Sequence, residues 1–92
     1  MIVSFKNKGL AELFATARSA KIPRPFHGRI SRQLSALGDA SVPSDMDIPG
    51  WGFHALKGFK PIRYAVSVNG PWRLTFEFDG PDACRVDFEQ YH

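Results

Sequence analysis

Ninety-two residues, 43% of them apolar and eight of them Phe, make one domain with enough apolar mass for a core, near the lower size limit for folding without staples. A single cysteine, Cys84, excludes an internal disulfide framework and fits a reducing compartment. The net charge of +3 is modest but unevenly placed. Residues 6–32 hold seven basic side chains against Glu12, residues 33–56 hold three acids and no Lys or Arg, residues 57–76 hold Lys57, Lys60, Arg63 and Arg73 without an acid, and residues 77–92 hold five acids against Arg85. Two basic blocks suit contact with a polyanion, because Lys and Arg displace counterions from phosphates whatever the base sequence. From charge alone, ordinary solvated faces are the better fit, since many small soluble domains are this basic. No run approaches the ~20 apolar residues that span a bilayer. "MIVSFKNKG" carries its lysines after a short apolar patch, the reverse of a signal peptide. A soluble, cytoplasmic protein is expected.

In chain order, "IVSF" reads as a short opening strand. Asn7 can cap a helix in which Leu10, Leu13, Phe14 and Ala17 share a face. "KIPRP" stops that helix, since neither proline continues it. A second helix is predicted from about Pro25 to Asp39, with Phe26, Ile30, Leu34 and Leu37 as its apolar stripe and Arg29 and Arg32 pointing away from it. "SVPSDMDIPGWG" is a turn-rich loop. Four strands are then predicted at about 51–56, 62–68, 72–78 and 83–89, with Asn69-Gly70 as a hairpin signal between the second and third and Gly80-Pro81 closing the third. On the third strand Trp72, Leu74, Phe76 and Phe78 alternate with Arg73, Thr75 and Glu77. On the fourth, Cys84, Val86 and Phe88 alternate with Arg85, Asp87 and Glu89. The expected fold is therefore α+β, two N-terminal helices covering one face of a mostly antiparallel four- or five-stranded sheet. The uncovered face is expected to carry Arg73 and the polar alternates, a charged surface rather than a second core.

Four ordered segments carry a resemblance across nearly the whole chain: "MIVSFKNKGLAELF", "FHALKG", "SVNGPWRLTFEF" and the terminal "VDFEQYH". Together they resemble the HigB toxins, the plasmid-maintenance killer proteins of the RelE/ParE superfamily. The resemblance implies a RelE-like fold, and a ribosome-dependent endoribonuclease that enters the A site of the small subunit and cuts messenger RNA during translation. It also implies a HigA-like antitoxin with a helix-turn-helix domain, with the toxin a monomer when free and part of a hetero-oligomer when bound. Residue by residue, it points to His54, Lys57, Arg73, Tyr91 and His92 as the catalytic set.

The residue chemistry is compatible with that role. RNA supplies its own nucleophile in the 2′-OH, so the protein needs only to align it, accept a proton, stabilise charge on the phosphate and protonate the leaving 5′ oxygen. No metal or other cofactor is expected for such a reaction, and three histidines and one cysteine without paired spacing make a zinc site a poor fit. Lys57 and Arg73 suit the phosphate, with Lys60 and Arg63 as further RNA-binding cations. His54 and His92 titrate near neutrality and suit proton transfer. Tyr91 can stack on an unpaired base, bond the phosphate or position the neighbouring histidine.

Each residue also has a plainer reading. Lys57 and Arg73 fit exposed charges, His54 fits a satisfied histidine beside a turn, Tyr91 fits closure of the core edge, and Cys84 fits a buried thiol on the Val86/Phe88 face. Gln90 departs from relatives that place an acid before the Tyr-His pair. Glu89 is adjacent, but strand alternation turns it to the side opposite Gln90. Two other functions stay open at this point, a ParE-like toxin acting on DNA gyrase and an inactive copy that only binds antitoxin as a co-repressor.

Overall fold

The computed structural model describes residues 1–91. Two helices, α1 (Lys8–Thr16) and α2 (His27–Asp39), are followed by four strands, β1 (His54–Leu56), β2 (Arg63–Asn69), β3 (Trp72–Asp79) and β4 (Asp82–Gln90). The strands form one antiparallel meander in the order β1-β2-β3-β4, as expected from hairpin-length connections. Both helices lie on one face of it.

Helix α1 begins where the sequence says it should, with the Asn7 side chain accepting from the Leu10 amide at 3.1 Å. It ends at Thr16, ahead of "KIPRP" rather than at it: Ala17, expected on the apolar face, is exposed, takes a left-handed conformation (φ 66°) and donates its amide to the Leu13 carbonyl. Leu10 and Leu13 are buried, but Phe14 stays 47% exposed, tilted against the Phe5 ring. The two prolines of "KIPRP" delay α2: Arg24–Phe26 forms a single 3₁₀ turn and the α-helix starts at His27. Its stripe of Ile30, Leu34 and Leu37 is fully buried against Val66, Leu74, Phe76, Ala83 and Val86. Each such side chain contributes about 1.5–3 kcal/mol relative to an exposed one, so this layer dominates the stability.

Three local features depart from the sequence expectation. First, the opening segment forms isolated parallel bridges to β4, Ile2 with Ala83 and Phe5 with Val86, instead of a full strand. Second, β1 is shorter than predicted. Gly52 has φ 58° and breaks the chain before His54, although the Trp51 carbonyl still accepts from the Ser67 amide at 2.7 Å. Third, β4 bulges at Arg85, a non-glycine residue at φ 49°, so that Thr75 faces Asp87 but Glu77 faces Cys84. The bulge also interrupts this edge: the Arg85 amide is taken by the Ser4 hydroxyl rather than by a backbone carbonyl, while the opening segment keeps its register with β4 on either side.

The bulge reverses one side-chain assignment. Ala83 is the buried residue at this end of β4, while Cys84 sits on the Glu77 face and is only half-buried, so it does not join the Val86/Phe88 layer. Arg29 also differs from expectation. It turns toward the sheet and donates to the carbonyls of Ser67 and Gly50, while the buried Gln33 amide donates to Ser67 at 2.8 Å. Both side chains serve an acceptor on β2 at the end that short β1 leaves unpaired. Arg32 is exposed, as expected.

Candidate functional site on the uncovered sheet face

The strand register places Ala65 and Ser67 of β2, Arg73, Thr75 and Glu77 of β3, and Cys84, Asp87 and Glu89 of β4 on the face away from the helices. His54 pairs with Ala65 and belongs to the same face. This surface is charged, as the alternation predicts, but much of its charge is internally matched. Arg63 is 5% exposed and donates to Glu77 Oε2 at 2.6 Å, to the Thr75 hydroxyl at 2.9 Å and to the Arg85 carbonyl at 3.2 Å. Arg85 approaches the other Glu77 oxygen at 3.8 Å. Thr75, which accepts from Arg63, passes its own proton to Glu89 Oε2.

Arg63 thus has no free charge to offer a ligand, unlike the exposed cation its sequence context suggests. Lys57 and Lys60 are exposed, in the β1–β2 loop. That loop lies at the Arg63 end of β2, whereas Arg73 lies opposite Ser67 near the other end. Four strand residues separate the two rows, roughly 13 Å at ordinary strand rise. The two lysines and Arg73 therefore mark opposite ends of one face rather than a single cluster.

Arg73 and Tyr91 are brought together. The Tyr91 amide donates to the Pro71 carbonyl at 2.8 Å, tying the chain beyond β4 to the β2–β3 turn. The Arg73 guanidinium is anchored through Nη1 alone, to the carbonyls of Gly70 at 2.6 Å and Trp72 at 3.0 Å. Among the described residues its Nη2 and Nε donate to nothing, which leaves one edge of the fork open for two oxygens of a phosphate. Burial raises the Tyr91 phenol above its ordinary pKa, and the Glu89 carboxylate adds to the rise while Arg63 and Arg73 oppose it. The phenol is accordingly a protonated donor at neutral pH, within the electrostatic reach of all three groups.

His54 is exposed at the start of β1, its Nδ1 2.9 Å from the Gly52 carbonyl. Two strand spacings separate it from β3, roughly 10 Å. His92 lies outside the described residues. Burial, followed by the charges of Glu77 and Asp79, raises the Cys84 thiol above its ordinary pKa against the pull of Arg85 and Arg63, which argues against a reactive thiolate. Among the described residues, no three His, Cys, Asp or Glu side chains form a metal-ligand set.

The first basic block serves a different region. A cleft of about 620 Å³ between α1 and the entry to α2 is lined in part by Arg18, Lys21, Arg24 and His27. It lies on the helical side, away from the sheet residues above. Its polar groups are partly matched, with Ser19 donating to Glu12 at 2.6 Å, Lys21 3.8 Å from Glu12 and a His27 ring nitrogen 2.8 Å from the Ile22 carbonyl.

An α+β domain presenting an anchored arginine and a tyrosine on a bare sheet face is the RelE-like toxin architecture that the sequence motifs imply. Residues 3–92 match the family described as the RelE-like toxin of type II toxin-antitoxin system HigB, and the chain belongs to that family. It is 34% identical to the Endoribonuclease HigB of Proteus vulgaris over 92 residues, which cover all of both chains.

Alternation already puts Glu89 among the polar residues of this face, turned away from Gln90, but sequence reasoning gives it no part in the site. The register shows that this is what brings it to the site. Glu89 pairs with Arg73, while Gln90 pairs with Trp72 on the helical side. The signal lies in the alternation of Arg85, Asp87 and Glu89 with Val86 and Phe88.

Proposed function

We propose that this chain is the toxin of a type II toxin-antitoxin pair and acts in the cytoplasm as a ribosome-dependent endoribonuclease, cutting messenger RNA in the A site of the small subunit. The 2′-OH attacks the adjacent phosphate, the P–O5′ bond breaks, and translation stops. Arg73 carries this reading. Its fork is anchored on one side and open on the other, on a rigid strand, and it shares the face with Tyr91. That arrangement fits a group that binds charge developing on a phosphate without reorganising. The full-length similarity to a protein named an endoribonuclease supports the same reading.

In this scheme Arg73 holds the phosphate, Tyr91 bonds or stacks on the splayed nucleotide, and His54 and His92 supply proton transfer. Lys57 and Lys60 contact RNA from the β1–β2 loop. Arg63 acts at one remove, by holding Glu77 and Thr75. The partner that silences the toxin is a helix-turn-helix antitoxin of the HigA kind.

Primer extension on a message translated in a reconstituted system, with and without ribosomes, tests the proposal. Breaks that need ribosomes are expected, and Arg73→Ala should reduce them by about 10²–10³-fold. DNA damage with intact RNA would instead indicate a gyrase-directed toxin. No effect on either would indicate an inert copy.

A further inference from the structure

We infer that Glu89 is the group that takes the proton from the attacking 2′-OH, a role that rests on the nuclease reading above. Glu77, Asp87 and Glu89 all stand on the uncovered face, and their settings differ. Glu77 is 8% exposed and both of its oxygens face arginines, Oε2 at 2.6 Å from Arg63 and Oε1 at 3.8 Å from Arg85. Asp87 folds back on its own strand, with Oδ1 accepting from the Phe88 amide at 2.8 Å. Glu89 is held by one oxygen and open at the other.

The holding is directional. Thr75 accepts from Arg63, so the Thr75 proton is committed to Glu89 Oε2, and Arg63 itself stands 3.9 Å from that same oxygen. Oε1 has no hydrogen-bond partner among the described residues, and the side chain is 39% exposed, enough for a substrate hydroxyl to reach it. A base needs this combination, an oriented carboxylate with a free lone pair facing the substrate.

Its position in the sheet points the same way. Glu89 lies directly opposite Arg73 in the β3–β4 register, which puts their Cβ atoms roughly 5 Å apart on one face. No ion pair closes between them, because the Arg73 fork is turned toward the β2–β3 turn. A phosphate on the open edge of Arg73 therefore brings the flanking ribose toward Glu89. The Glu89 charge also reaches the Tyr91 phenol, on the same face.

In the cleavage step, Glu89 Oε1 accepts the 2′-OH proton as the O2′–P bond forms, the P–O5′ bond breaks, and one of the two proposed proton-transfer histidines, His54 or His92, gives a proton to O5′. The products are a 2′,3′-cyclic phosphate and a 5′-hydroxyl. Glu89 then releases its proton to water and the histidine regains one from it.

Single-turnover cleavage on ribosomes programmed with message tests the inference. Glu89→Gln preserves shape and can still accept from Thr75, so cleavage should fall by on the order of 10²–10⁴-fold. The deficit should shrink as pH rises, because hydroxide replaces the missing base. Placing an acid at the next position, Glu89→Gln with Gln90→Glu, should not restore the rate, because position 90 faces the helical side. Glu89→Ala makes the same test if the amide disturbs folding, since water can then serve Thr75. Wild-type rate in both Glu89 variants, while Arg73→Ala abolishes cleavage, would overturn the role of Glu89 and leave the nuclease reading standing. A deficit that ignores pH, or rescue by Gln90→Glu, would also overturn it. If the wild-type chain makes no ribosome-dependent breaks, both readings fall.

Discussion

The Arg63 guanidinium donates to a carboxylate, a hydroxyl and a backbone carbonyl where almost no water reaches it. Desolvating such a group is costly, and the cost is offset only while every partner is present. Arg63→Met should therefore destabilise the fold by about 3–5 kcal/mol, since it leaves Glu77 buried with only the distant Arg85 for company. Arg63→Met combined with Glu77→Leu should recover most of that loss, because a matched apolar pair carries no unpaired charge. Urea denaturation of the two variants checks the difference, and equal losses would mean that the ion pair is not the unit of stability. At the same scale, the sequence marks Arg63 as one cation in an acid-free block. Which cations bind RNA depends on who their neighbours are, and Glu77 reaches Arg63 only through strand pairing.

Among the elements, β4 governs the face. Its bulge at Arg85 puts Cys84 opposite Glu77 and hands the Arg85 amide to the Ser4 hydroxyl at the N-terminal edge. The φ of 49° costs a non-glycine residue roughly 1–2 kcal/mol. Arg85 offsets little of this through its exposed, 3.8 Å contact with Glu77. Arg85→Gly should accordingly leave stability unchanged or raise it by up to about 1 kcal/mol, whereas Arg85→Val should lower it, because a β-branched side chain resists this backbone. Thermal unfolding of the pair checks this. Parity between Gly and Val would mean that the bulge is not strained. Alternation alone continues β4 as an unbroken period of two, and no local residue type announces the slip. Only the competing demands of β3 and the N-terminal edge place it. The helices, by contrast, are legible at the Asn7 cap and along the leucine stripes, which act through local geometry, although α1 ends ahead of the prolines expected to stop it.

Across the whole molecule, charge is divided by task. Arg63 and Arg85 sit in a matched network, Arg73 is anchored with an open edge, and Lys57 and Lys60 lie exposed in a loop roughly a strand's length away. Replacing both lysines with alanine should weaken binding to programmed ribosomes and flatten its salt dependence, since a phosphate that meets no lysine keeps its counterion. The cleavage rate of the bound complex should change far less than in Arg73→Ala. Ribosome binding and single-turnover cleavage at two salt concentrations separate the effects, and an equal drop in cleavage in both variants would place the lysines at the reacting phosphate. The chain on its own determined the class of fold, the Asn7 start of the first helix, the hairpin order and the motif set that ties it to the HigB-like toxins, because those rest on short-range periodicity and on residue identity. Only the tertiary structure decided that Arg63 is buried and that Cys84 leaves the apolar layer. It also decided that Glu89 is the residue of β4 directly opposite Arg73. Each of these depends on cross-strand register, and register is set by the sheet as a whole.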